Sequence, residues 1–93
     1  MAYDVDLFCR LYEIFPGCFE ASKTIETYEY KNGAFGQEKV RTGTEEVTLA
    51  SQILDTAKAI AHGGNDMDRA FRYLEFFRTP KAQKQIIKKF YEN

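Results

Sequence analysis

The chain has no tryptophan, one histidine, two cysteines and two prolines in 93 residues, and each scarcity removes a class of function. One His and two Cys cannot complete a four-ligand zinc site without a carboxylate or a second chain, so structural zinc is not expected. Cys9 and Cys18 are too few for the disulfide framework of a small exported protein. The simpler reading is a small core residue on a helix followed by a thiol in the next turn, both reduced. No apolar run approaches the roughly 18–20 residues of a membrane span. The opening Met-Ala-Tyr-Asp-Val-Asp lacks the basic region and apolar block of a signal peptide, which points to a cytoplasmic protein.

Catalytic patterns are equally scarce. His62 is the sole imidazole and has no Ser or Cys partner nearby in sequence. The carboxylates follow no calcium-loop spacing. His62-Gly63-Gly64-Asn65-Asp66 looks at first like a phosphate-holding turn at a helix start. Asp66 and Asp68 would repel an anion there, and no P-loop lysine follows, so it reads as a helix stop followed by a capped helix start. No catalytic residue, metal ligand or cofactor is expected, and the chain is read as a non-enzyme.

What is present is apolar mass and aromatic rings. Hydrophobic residues make up 44% of the chain, with eight Phe and six Tyr. Charged residues, at 29%, are near the globular average, so the expectation is one ordered domain over residues 1–93. A chain this short buries only about 60–65% of its unfolded surface, so its core must be efficient. The net charge of −1 conceals a split. Residues 1–68 carry six Lys/Arg against twelve Asp/Glu, and residues 69–93 carry seven against two, giving −6 and +5. Such a split marks either a charged partner surface or a basic segment lying beside an acidic one in the same fold.

In chain order, Asp4 is placed to cap a helix ending near Phe15. Val5, Phe8, Tyr12 and Phe15 form one apolar line, Leu7, Leu11 and Ile14 a second, and Asp6, Arg10 and Glu13 the polar stripe. So wide an apolar face predicts a central helix covered on more than one side. Pro16-Gly17 stops it. Thr24 to Tyr30 suits a strand, and Asn32-Gly33 signals a type I′ hairpin turn. That turn would set Tyr30 opposite Phe35, Tyr28 opposite Gln37, Glu26 opposite Lys39 and Ile25 opposite Val40, with Gly36 at a twist or bulge. A second helix is expected from Glu45 to His62, capped by Thr44 or Thr42, with Gly63 as its left-handed terminator. Asn65 would cap a third helix with Met67, Ala70, Phe71, Leu74 and Phe77 inward. Thr79-Pro80 opens a fourth, with Ala82, Ile86, Ile87 and Phe90 inward. The predicted fold is α+β: an N-terminal helix, a β-hairpin lying over one side of the helical core, then three helices. An all-α bundle with an irregular excursion at residues 22–41 is the alternative.

Two surfaces stand out. Tyr73, Phe76 and Tyr91, with Tyr28, Tyr30 and Phe35 on the hairpin, exceed what one small core requires, and aromatics beside Arg suit a protein partner or a homodimer. The alternative is a nucleic-acid surface formed by Arg69, Arg72, Arg78, Lys81, Lys84, Lys88 and Lys89. The expected role is therefore a small interaction protein, with DNA or RNA as the competing partner. Small size and the missing catalytic signature suggest a microbe or one of its mobile elements as the setting.

Overall fold

Seven elements follow one another in the computed structural model, which describes residues 2–92. They are α1 (Ala2–Ile14), a 3₁₀ turn (Pro16–Phe19), β1 (Ser22–Gly33), β2 (Gly36–Thr48), α2 (Leu49–Ile60), α3 (Met67–Glu75) and α4 (Pro80–Glu92). The α+β architecture read from the sequence is the one observed.

The core is built by the helices. Leu7, Leu11 and Ile14 of α1 and Phe15 just past it meet Leu49, Ala50, Ile53 and Ala57 of α2, Ala70 and Leu74 of α3, Phe77 beyond it, and Phe90 of α4. Phe15 and Phe77 stack at 6.2 Å between centroids, and Tyr73 sets its edge against Phe77 at 5.4 Å. Small residues at Ala50, Ala57, Ala61 and Ala70 are all buried, which lets helix backbones approach closely. The Gln83 amide donates to the carbonyls of Ile14 (3.1 Å) and Phe77 (2.7 Å), fixing α4 to the end of α1.

The cysteines exchange the roles expected of them. The helical Cys9 is exposed, and Cys18, in the 3₁₀ turn, is fully buried. Pro16 starts that turn and curls the chain inward, which carries Cys18 into the core.

Three of the four helix starts differ from expectation, and those of α2, α3 and α4 each carry a side-chain oxygen that accepts a free N–H. The first helix begins before Asp4, whose carboxylate instead reaches Lys58 of α2 at 3.5 Å. The cap of α2 is Thr48, not Thr44 or Thr42: its Oγ1 accepts from Ser51 N at 3.1 Å, and Ser51 Oγ donates back to Thr48 O at 2.8 Å. Residues 45–48 therefore belong to a strand, because pairing along the hairpin satisfies their backbone groups. Asp66, one residue past the expected Asn65, caps α3. Thr79 caps α4 as expected, accepting from Ala82 N at 3.2 Å. The left-handed stop of α2 begins at His62 (φ 50°) and continues through Gly63 (φ 73°) and Gly64 (φ 102°).

The hairpin differs most. Asn32 and Gly33 stay in β1, and the tip is Ala34-Phe35, with the positive φ falling on Gly36 (113°). The observed partners are Tyr30 with Lys39, Tyr28 with Arg41, Glu26 with Thr44 and Ile25 with Glu45, so none of the four expected pairs forms. A tip at Asn32-Gly33 would have paired Ser22 with Gly43 and left residues 44–48 without a strand. Moving the tip pairs β2 along nearly its whole length, and the added ladder outweighs the local turn preference. One residue, Thr42, has no partner: the register shifts between Thr27, which faces Gly43, and Tyr28, which faces Arg41. This bulge, and not Gly36, is where β2 bends.

Nor does the hairpin lie over the helices. Its base is held, since Leu49 N donates to Ala21 O at 2.9 Å and Lys23 Nζ donates to Phe90 O at 2.6 Å. Beyond that base most positions on both faces are exposed. Twelve residues at about 3.3 Å each make an arm of roughly 40 Å. The molecule measures 50 × 30 × 17 Å with a radius of gyration of 16.4 Å, against about 12 Å for a spherical chain of this length. A helical head thus carries a projecting two-stranded arm.

Candidate functional site: the surface around Phe76

The aromatic residues singled out in the sequence divide between head and arm. On the head, α3 ends at Glu75 and the next residue, Phe76, is 73% exposed. Its ring forms a ridge between two open hollows. One, of about 430 Å³, is lined by Ile60, Arg69, Arg72, Tyr73 and Phe76. The other, of about 350 Å³, is lined by Phe76, Phe77, Ala82, Gln85, Ile86 and Lys89. Helical spacing produces this arrangement. Arg69, Arg72, Tyr73 and Phe76 lie at i, i+3, i+4 and i+7 of one face, while Ala70, Leu74 and Phe77 fill the other. Tyr73 is half-buried, and burial raises its phenol above the usual range while a hydrogen bond with Thr56 opposes the rise. It is wall more than anchor. Tyr91 is 55% exposed, rests edge-on against Phe90 at 5.2 Å, and lines neither hollow.

On the arm, Tyr28 and Tyr30 share one face with Glu26, Lys39 and Arg41. Lys39 Nζ stands 4.2 Å over the Tyr28 ring, Arg41 reaches Glu26 at 3.4 Å, and the Tyr28 hydroxyl donates to the same carboxylate. The hydrogen bond to Glu26 is the main reason the Tyr28 phenol is pushed up. These are exposed contacts, screened by solvent, and they orient the side chains more than they stabilise the arm. Phe35, at the tip, is fully exposed.

The basic residues divide too. Arg69, Arg72 and Lys89 rim the hollows. Arg78 is held by Glu75, whose carboxyl is lowered mainly by that partner. Lys81, Lys84 and Lys88 form an exposed row on α4, with Lys88 3.9 Å from Glu92. The remaining ion pairs among the described residues are Arg10 with Glu13 (4.0 Å) and Glu75 (3.6 Å), Arg41 with Glu26 and Lys58 with Asp4. None joins a carboxylate of residues 1–68 to a cation of residues 69–93, although Arg78 senses Glu13 at longer range. The positive excess of the C-terminal part therefore lies on α4, which carries Lys81, Lys84, Lys88 and Lys89 against Glu92, while Arg69 and Arg72 of α3 are matched in number by Asp68 and Glu75.

A further surface, expected to be covered, is open. Val5 (62%), Phe8 (47%) and Tyr12 (58%) are exposed along α1, because only the Leu7-Leu11-Ile14 line faces the core. Half-buried Phe19 is in edge contact with Phe8 at 4.8 Å and Tyr12 at 5.5 Å. The signal was the width of the apolar arc on α1, broader than three short amphipathic helices can cover. On another side of α1, Asp6, Cys9, Arg10 and Glu13 border a hollow with Phe71, where Arg10 stands 5.3 Å over the Phe71 ring. His62 lines none of these three hollows. Among the described residues no helix is long and apolar enough to cross a membrane, and no group of three His, Cys, Asp or Glu is placed to hold a metal. Searched against family models, curated proteins and solved structures, the chain matches none.

Proposed function

We propose that this chain is a small non-enzymatic interaction protein that binds a protein partner through the aromatic and cationic surface around Phe76. The carrying observation is the Phe76 ring, 73% exposed between two apolar hollows with cations and no carboxylate in their linings. An aromatic ridge of this kind anchors affinity when a partner desolvates it, and truncating such an anchor costs about 2 kcal/mol or more. Arg69, Arg72 and Lys89 would steer an acidic partner and fix its register. A photo-crosslinking residue at position 76 tests this. It is expected to give a discrete adduct that weakens with salt, while the same residue at exposed Gln52 gives none. Equal yields at both positions, or none at 76, would end this reading.

The lysine row on α4 supports a second reading, contact with nucleic-acid phosphates. Lys81, Lys84 and Lys88 are all exposed, and among the described residues Glu92 is the one carboxylate in an ion pair with the row. Fluorescence anisotropy with generic duplex DNA over a salt series separates the two. Three phosphate contacts would give a log–log slope near −3, at roughly −0.9 per contact, and Lys84→Glu with Lys88→Glu would abolish binding. The protein-partner reading expects flat anisotropy.

A further inference from the structure

We infer that the outer edge of β1 pairs with β1 of a second copy of this chain, antiparallel about a two-fold axis at Tyr30, so that two arms make one four-stranded sheet. The contact lies on the arm and is independent of the Phe76 surface. Each strand of a two-stranded ribbon leaves one edge of unpaired N–H and C=O groups, and such a ribbon is marginal in water until a further strand joins it. The two edges here are unlike. That of β2 is broken by the bulge at Thr42, whereas β1 runs from Ser22 to Gly33 without bulge or proline. Bulges blunt an edge against pairing, so β1 presents the unbroken one.

Charge selects the occupant and the register. Glu29 and Lys31 are exposed on one face of β1, and neither is in an ion pair among the described residues. Glu38, which faces Lys31 within the hairpin, folds its carboxylate over Gly33 instead. In an antiparallel two-fold pair the residue opposite itself fixes every other partner, and opposed side chains share a face. With Tyr30 opposite Tyr30, Glu29 of each copy faces Lys31 of the other, Tyr28 faces Asn32 and Thr27 faces Gly33. Two reciprocal opposite-charge pairs result, and no like charges meet. A centre one residue away on either side reverses this, setting Glu29 on Glu29 or Lys31 on Lys31. The edge of β2 has no equivalent: centres at Glu38, Lys39 and Val40 set Glu38 on Glu38, Lys39 on Lys39 and Lys39 on Arg41. The Tyr30 ring, 67% exposed in one chain, gains an aromatic partner at the axis. The overlap stays within residues 27–33, which leaves the two heads at opposite ends of the joined arms. So short an overlap forms about six to eight main-chain hydrogen bonds. It buries less than the roughly 1,200 Å² of a stable complex, which makes the contact weak and reversible.

Sedimentation of the full chain from about 20 µM to about 1 mM is expected to show mass rising toward a dimer and no further, since a two-fold contact closes on itself. Glu29→Lys and Lys31→Glu, both at exposed positions, each set two like-charge pairs across the axis and should weaken association about tenfold. Mixed in equal amounts they should form a 1:1 heterodimer, because both cations of one variant then meet both carboxylates of the other. The double variant, with the two charges exchanged, should dimerise like the wild type. Phe76→Asp should do the same. A wild-type chain that is monomeric at the highest concentration, single variants that associate as well as the wild type, or a mixture that stays monomeric would overturn the inference. So would a dimer lost in Phe76→Asp. A monomeric wild type that still gives a salt-sensitive adduct at position 76 would overturn the arm contact alone and leave the Phe76 reading standing.

Discussion

The two thiols are the residues whose surroundings differ most for the same chemistry. Cys18 is fully buried, and burial pushes its thiol up to about 12 from an ordinary 9.0. Cys9 lies on the open side of α1. At pH 8 the folded protein should react with one equivalent of a thiol reagent, at Cys9, and release the second only on denaturation. Two fast equivalents would mean the 3₁₀ turn is not packed as described. The shift has a pH consequence of definite sign. Below about 9 the Cys18 thiol is protonated in both folded and unfolded chains. Above it the unfolded chain ionises and the folded one resists, so stability falls as pH rises toward about 12. Sequence assigned burial to the wrong cysteine because helical spacing says nothing of which way a proline-led turn curls.

Among elements, the arm is the one whose stability is least explained by its own contacts. An isolated two-stranded hairpin is marginal in water, and this one is supported at its base by Lys23, Val47 and the Ala21–Leu49 hydrogen bond. The head should therefore fold without it. Replacing residues 26–44 by Asn-Gly joins Ile25 to its partner Glu45 through a two-residue turn. The melting temperature should move by less than about 5 °C, equivalent to about 1 kcal/mol for a chain this size. Loss of the helical signal would show that the arm is part of the core. The hairpin's existence was legible from Thr-Tyr alternation and from glycine near the turn. Its register was not, since one local turn signal competed with a ladder whose full length depends on both strands.

At the scale of the molecule, helix number, the Thr79-Pro80 start and most inward-facing residues of α2 to α4 follow directly from period and capping chemistry. What periodicity cannot state is how much covering surface exists for each stripe. Val5, Phe8 and Tyr12 belong to a strongly apolar arc, yet the head has only enough helix to cover its Leu7-Leu11-Ile14 side. Phe76 and the basic character of α4 were legible. That Tyr28, Tyr30 and Phe35 would stand apart from them, on an arm, was not, because the sequence does not show that the hairpin leaves the head.

The unpaired Thr42 has a consequence for how this chain can vary in length. Along an unbroken strand, losing one residue exchanges the two faces of everything beyond it. In β2 the bulge already absorbs one residue: Thr44 and Glu46 share a face with Gln37, Lys39 and Arg41, although their numbers differ in parity. Deleting Thr42 alone would straighten the arm and keep every side chain on its present face. A single deletion anywhere between 36 and 41 with the bulge retained would change which distal residues Tyr28 and Tyr30 meet. Position 42 is thus the one place in the arm where the chain can change length by a residue and keep its pattern.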